Sequence, residues 1–233
     1  MPAMRTFLLI GQSNMAGRGV LGSVPPLRHD RVFMFRSGRW LPAEEPLHTD
    51  KPELAGIGLG MSFAVALADA DPVADIGLVP CAMGGTSLDQ WAPGGVLYNA
   101  AVNATRAALA AAPGARLAGI LWHQGEADAA DALTAGSYDR RLAAMLGRLR
   151  GDLGRTDAPV VAGTLGGFLA RRTDTPHAAA VTEGLRRLDR TQTGFALAEA
   201  GDLADGGDLL HFDATALRIL GRRYAEAFRS LGR

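Results

Sequence analysis

Apolar residues fall in short uninterrupted runs, separated by stretches of helical period. The first run, Phe7-Leu8-Leu9-Ile10, reads as a buried strand over about residues 4–10. Runs at 31–35, 76–82, 117–122, 159–165 and 194–198 read the same way. Between them, 59–70, 96–112, 137–153 and 177–191 carry apolar residues at helical spacing. A closing helix runs through Phe228, with Asp213 as its cap and Leu217, Leu220, Tyr224 and Phe228 turned inward. Strands alternating with helices predict an α/β fold, a parallel sheet covered on both faces as a three-layer α/β/α sandwich. No linker, repeat or low-complexity segment interrupts the pattern, so one domain is expected over residues 1–233.

Three of the apolar runs end abruptly in chemistry-bearing residues. Gly11-Gln12-Ser13-Asn14 follows the first strand and Trp122-His123-Gln124-Gly125-Glu126 a central one. Asp208-Leu209-Leu210-His211 comes after the last. In open α/β sheets ligands bind beyond the carboxyl ends of the strands, and parallel strands would open all three clusters on one edge. Acyl transfer needs such a set. A serine needs an imidazole to take its proton, and the imidazole needs a carboxylate to fix its tautomer. Ser13 is the candidate nucleophile, His211 the base and Asp208 its orienting acid. Candidate oxyanion donors are the Ser13 N–H, an N–H of Gly84 or Gly85 beyond the strand that ends near Ala82, and the Gln124 amide.

Composition narrows the partners. The 233 residues are 48% hydrophobic and 21% charged, with zero formal net charge, so nothing favours nucleic acid or an acidic membrane. No apolar run approaches a membrane span, and the first six residues lack the features of a signal peptide. As given, the chain is expected to be cytoplasmic, or secreted if a signal has been removed. The single cysteine, Cys81, excludes an intramolecular disulfide and reads as a small buried hydrophobe. No histidine pair has metal-ligand spacing with carboxylates, so no metal is expected. Gly17-x-Gly19-x-x-Gly22 has the form of a dinucleotide fingerprint, but the strand ends too early and Pro25-Pro26 follows where a helix should start. It reads as a loop.

Taken together, Gly11-Gln12-Ser13-Asn14-Met15-Ala16-Gly17, Gly84-Gly85-Thr86-Ser87-Leu88-x-x-Trp91, Trp122-His123-Gln124-Gly125-Glu126 and Asp208-x-x-His211-Phe212 resemble a known family. It is the sialate O-acetylesterase / acetylxylan esterase group, carbohydrate esterase family six, of the SGNH (GDSL-like) hydrolases. The resemblance implies a flavodoxin-like parallel sheet and removal of acetyl groups from sugars without a cofactor. It also implies Ser13 as nucleophile, the Gly84-Gly85 pair and Gln124 at the oxyanion, Gln12 beside the substrate, and His211 as base. Two acids compete to orient His211: Asp208, which has the superfamily spacing and is favoured, and Glu126, whose alternative is a buried acid paired with an arginine. His123 is expected as a hydrogen-bonded packing residue, and His29, His48 and His177 as solvent-exposed. Trp40 and Trp91 are candidate sugar platforms or core. Competing readings are an esterase or thioesterase of small non-carbohydrate acyl compounds and a non-catalytic carbohydrate-binding protein. The expected partner is an acetylated sugar or small ester; the oligomeric state is open.

Overall fold

The computed structural model describes residues 4–232. Seven strands form one sheet. β1 (Arg5–Gly11) lies between β4 (Ile76–Pro80) and β5 (Arg116–His123), and β6 (Val160–Gly163) and β7 (Phe195–Ala198) continue the sheet beyond β5, all parallel. In chain order these strands lie second, first, third, fourth, fifth across the sheet. That is the flavodoxin-like doubly wound order, and its switch point falls between β1 and β5.

Beyond β4 the sheet carries a hairpin, β2 (Val32–Arg36) parallel to β4 and β3 (Arg39–Pro42) antiparallel to β2. The run pattern predicts a parallel sheet with no strand between 35 and 76, and the antiparallel β3 departs from it. The four residues of β3 are too few to show alternation, and Pro42 ends the strand at the sheet edge, where the missing N–H has no ladder partner to lose.

Helices cover both faces. α2 (Leu59–Ala70) and α7 (Ala214–Ser230) pack on one another over one face, and α3 (Val96–Ala110), α5 (Tyr138–Asp152) and α6 (Ala178–Thr191) form a layer on the other. Asp213 caps α7 by accepting the Ala216 N–H at 2.7 Å. Phe7 reaches from β1 to Phe63 of α2 and Phe228 of α7 in edge-to-face contacts, centroids 4.9 and 5.0 Å apart. Each such pair is worth about 0.5–1.5 kcal/mol beyond buried area. Among the described residues no helix is long and apolar enough to cross a membrane.

The α2–α7 contact depends on Gly221. A Cβ built there would lie 2.1 Å from Ser62 Oγ and 2.2 Å from the Leu59 carbonyl oxygen. Alanine is the better helix former by about 1 kcal/mol. Forcing two packed backbones apart costs about 1–3 kcal/mol. Gly221→Ala is therefore expected to lower stability in a urea titration; a variant more stable than the parent would mean that the helices separate freely.

Candidate active site

β1 ends at Gly11, whose φ of 130° turns the chain out of the sheet. A side chain there would meet the His123 carbonyl oxygen at 2.1 Å, so only glycine lets β1 and β5 run this close at their ends. One turn of helix follows, α1 (Ser13–Ala16), closed by the Gly17 N–H on the Ser13 carbonyl. Ser13 is its first residue, only 4% exposed, and its N–H has no acceptor among the described residues.

Ser13 Oγ lies 3.0 Å from His211 Nε2, and His211 Nδ1 lies 2.6 Å from Asp208 Oδ2. The other Asp208 oxygen accepts the backbone N–H groups of Leu210 and His211, at 2.9 and 2.8 Å. Partial burial works to raise the Asp208 pKa, but these N–H groups and His211 outweigh it and hold the carboxyl below its ordinary value. A carboxylate facing Nδ1 keeps the proton on that nitrogen and leaves Nε2 bare to receive the serine proton. The turn requires Leu209 at φ 58°, a left-handed conformation that leucine seldom adopts. Asp205 supports it by accepting the Gly207 and Leu209 N–H groups, each at 2.9 Å.

The oxyanion candidates separate. Gly84 donates its N–H to Asp50 Oδ2 at 2.8 Å, and the same oxygen takes Arg18 Nη2 at 2.6 Å. Burial acts to raise the Asp50 pKa, but the Arg18 guanidinium and the Gly84 N–H bring it below its ordinary value. Gly84 is glycine because the Arg18 guanidinium passes where a Cβ would be, 2.4 Å away. Gln124 commits both amide hydrogens, to the Thr86 carbonyl at 3.0 Å and Asp128 Oδ2 at 2.7 Å, while its Oε1 accepts from Tyr138 Oη at 2.8 Å. The Gly84 N–H and both Gln124 amide hydrogens are committed within the protein, which leaves Gly85 as the member of the Gly84-Gly85 pair whose N–H is unpaired among the described residues. Their partners, Asp50 and Asp128, lie far from them in sequence. The Gln12 N–H is also committed, to the His123 carbonyl at 2.9 Å. Of the candidate donors, the N–H groups of Ser13 and Gly85 and the side-chain nitrogen of Gln12 make no hydrogen bond within the described residues.

Glu126 does not reach His211. Its Oε1 accepts from Asn14 Nδ2, and no arginine pairs with it among the described residues. Burial pushes its carboxyl up. Asn14 and Asp128 are polar residues that sequence reading did not single out; the signal available was only that Asn14 lies inside the Ser13 motif and Asp128 two residues beyond Glu126. His123 Nδ1 lies 2.9 Å from Tyr224 Oη, and burial takes its pKa down to about 3. His48, expected at the surface, is buried beside the backbone of Leu9 and Ala16, and burial lowers its pKa to about 4. Burial raises the Cys81 thiol to about 12, far from a thiolate nucleophile at neutral pH.

Trp91 and Trp40 are not platforms at this opening. Trp91 is buried against Trp122, with its indole N–H on Thr86 Oγ1 at 3.1 Å. Trp40 is half-buried at the edge hairpin and donates to the Ala108 carbonyl at 3.0 Å. Beside the His211–Asp208 pair lies a recess of about 240 Å³, lined by Arg18, Val20, Ser23, Asp208, His211 and Phe212 among others.

The family model described as carbohydrate esterase, sialic acid-specific acetylesterase matches residues 3–230. A probable carbohydrate esterase of Arabidopsis thaliana is 35% identical over 179 residues, 69% of this chain and 68% of that protein. The X-ray structure of that Arabidopsis protein superposes with a TM-score of 0.88 at 30% identity, over 98% of this chain and 99% of the other. NanS superposes with a TM-score of 0.79 at 21% identity, over 99% and 98% of the two chains. A carbohydrate acetylesterase from Xanthomonas citri gives 0.71 at 22% identity, over 97% of this chain and 56% of that one. At these two lower identities the likeness is one of fold.

Proposed function

The chain belongs to the sialic acid-specific acetylesterase family of carbohydrate esterases, and from that premise we propose that it removes acetyl groups from O-acetylated carbohydrate through a Ser13 acyl-enzyme. The observation that carries this reading is the continuous line Ser13 Oγ to His211 Nε2 to Asp208, at 3.0 and 2.6 Å. Ser13 Oγ attacks the acetyl carbonyl as its proton passes to His211 Nε2. Asp208 stabilises the imidazolium, and the tetrahedral oxyanion takes hydrogen bonds from the free Ser13 and Gly85 N–H groups and the Gln12 amide. His211 then returns the proton to the departing sugar oxygen, leaving acetyl on Ser13. Water, deprotonated by the same imidazole, attacks the acyl-enzyme and releases acetate with Ser13 restored.

A second reading, hydrolysis of small non-carbohydrate acyl esters, is favoured by the tryptophans. Trp91 and Trp122 are buried and Trp40 lies at the edge hairpin, so none offers a sugar face at the recess. One experiment separates the two. The protein is expected to hydrolyse p-nitrophenyl acetate and to be labelled on Ser13 by an organophosphate, as read by peptide mass spectrometry. Comparing kcat/KM on acetylated xylan, O-acetyl sialic acid and simple acetyl esters then ranks substrates. Preference for a glycan supports the first reading and preference for simple esters the second; a label elsewhere overturns both.

A further inference from the structure

Asn14, the residue after the nucleophile, is buried at 1% exposure and its amide is saturated. Its two Nδ2 hydrogens go to Glu126 Oε1 at 2.5 Å and the Leu210 carbonyl at 3.1 Å, and its Oδ1 accepts the Phe212 N–H at 3.1 Å. Leu210 and Phe212 flank His211. One side chain, a single peptide bond from Ser13, therefore grips the segment carrying the base on both sides of the imidazole.

Glu126 stands behind this grip. It sits just past β5, 3% exposed, and Asn14 is the only side chain bonded to its carboxyl among the described residues. With Glu126 Oε1 and the Leu210 carbonyl on one side and the Phe212 N–H on the other, the Asn14 amide has one orientation that satisfies all three partners; a flipped amide would set oxygen against two acceptors. Oε1 can accept in either protonation state of the carboxyl, the proton of the neutral acid sitting on Oε2. Burial of an acid with so few partners is costly, so its place here calls for a role beyond packing.

We infer that Asn14, oriented by Glu126, is a positioning residue that holds His211 at attacking distance from Ser13. The inference rests on the serine-esterase reading above, and acts on geometry alone: neither side chain touches the reacting atoms. Misplacing a catalytic group by about 1 Å costs on the order of 10²-fold in rate.

The test is steady-state hydrolysis of p-nitrophenyl acetate with thermal melting of each variant. Asn14→Ala and Glu126→Leu are each expected to lower kcat by about 10- to 100-fold with KM within about twofold. The double variant should fall no further than Asn14→Ala alone, since both act through one bridge. Glu126→Gln, whose amide oxygen still accepts from Asn14, should recover kcat to within about threefold. If the truncated proteins fail to fold, the near-isosteric Asn14→Asp serves instead. It should lose kcat by opposing its oxygen to Glu126, and adding Glu126→Gln should restore part of the loss. Full kcat in Asn14→Ala or Glu126→Leu, multiplicative losses in the double variant, or a Glu126→Gln as slow as Glu126→Leu would each overturn the inference. Ser13→Ala serves as the control: if it stays active, the esterase reading itself fails, independently of this bridge.

Discussion

Ser13→Ala is expected to lower kcat for p-nitrophenyl acetate by about 10⁴- to 10⁶-fold while leaving the melting temperature nearly unchanged. At about 1.4 kcal/mol per tenfold, that is about 6–8 kcal/mol of transition-state stabilisation from one oxygen. The effect on folding is far smaller because Oγ makes a single hydrogen bond among the described residues, to His211, and the net worth of one is about 0.5–1.5 kcal/mol. No other hydroxyl or thiol among the described residues is hydrogen-bonded to His211. The Cys81 thiol is held near 12 and stays protonated, and the hydroxyl of Thr86 is committed to the Met83 carbonyl at 2.8 Å. Steady-state rates of the purified variant check this; a Ser13→Ala protein within tenfold of the parent would remove Ser13 from the chemistry.

The parts of this molecule that are legible in the sequence are those encoded by local pattern. The apolar run Phe7 to Ile10 declares a strand buried on both faces, and all four side chains have no solvent exposure. The helix read at 59–70 coincides with α2 because a dozen residues give the helical period three full turns. Asp208 and His211 are three residues apart, so their contact is local, and the Ser13 turn that meets them follows from strands ending on one edge.

What the sequence conceals is decided by partners distant along the chain. Gln124 looks like a free donor until Thr86 and Asp128 claim its hydrogens, and Gly84 looks open until Asp50 arrives from 34 residues away. His48 lies in a polar-looking segment, yet that loop folds beneath the site and excludes water from the ring. The same holds for Trp91, whose edge-to-face contact with Trp122 joins two motifs that sequence reading treated separately. Leucine at a left-handed position, as at Leu209, carries no sequence signal at all, because residue preference there points to glycine or asparagine.

Asp208→Asn is expected to lower kcat by about 10³- to 10⁴-fold, although it removes only a charge and leaves the side-chain shape unchanged. The reason lies in how the carboxylate is held. Oδ1 takes the Leu210 and His211 N–H groups, so in the variant the amide oxygen stays on that side and the NH₂ is turned toward His211 Nδ1. A donor facing Nδ1 favours the tautomer protonated on Nε2, which aims a hydrogen at Ser13 Oγ instead of a lone pair. The base is then disabled with its geometry intact. Because the Asp208 side chain is about half exposed, the fold should survive, and KM should change far less than kcat. Glu126→Gln is the matched comparison, since it makes the same chemical change at an acid that touches Asn14 rather than His211. Side-by-side kcat measurements discriminate: Asp208→Asn near the parent rate with Glu126→Gln inactive would transfer the role of the acid to Glu126.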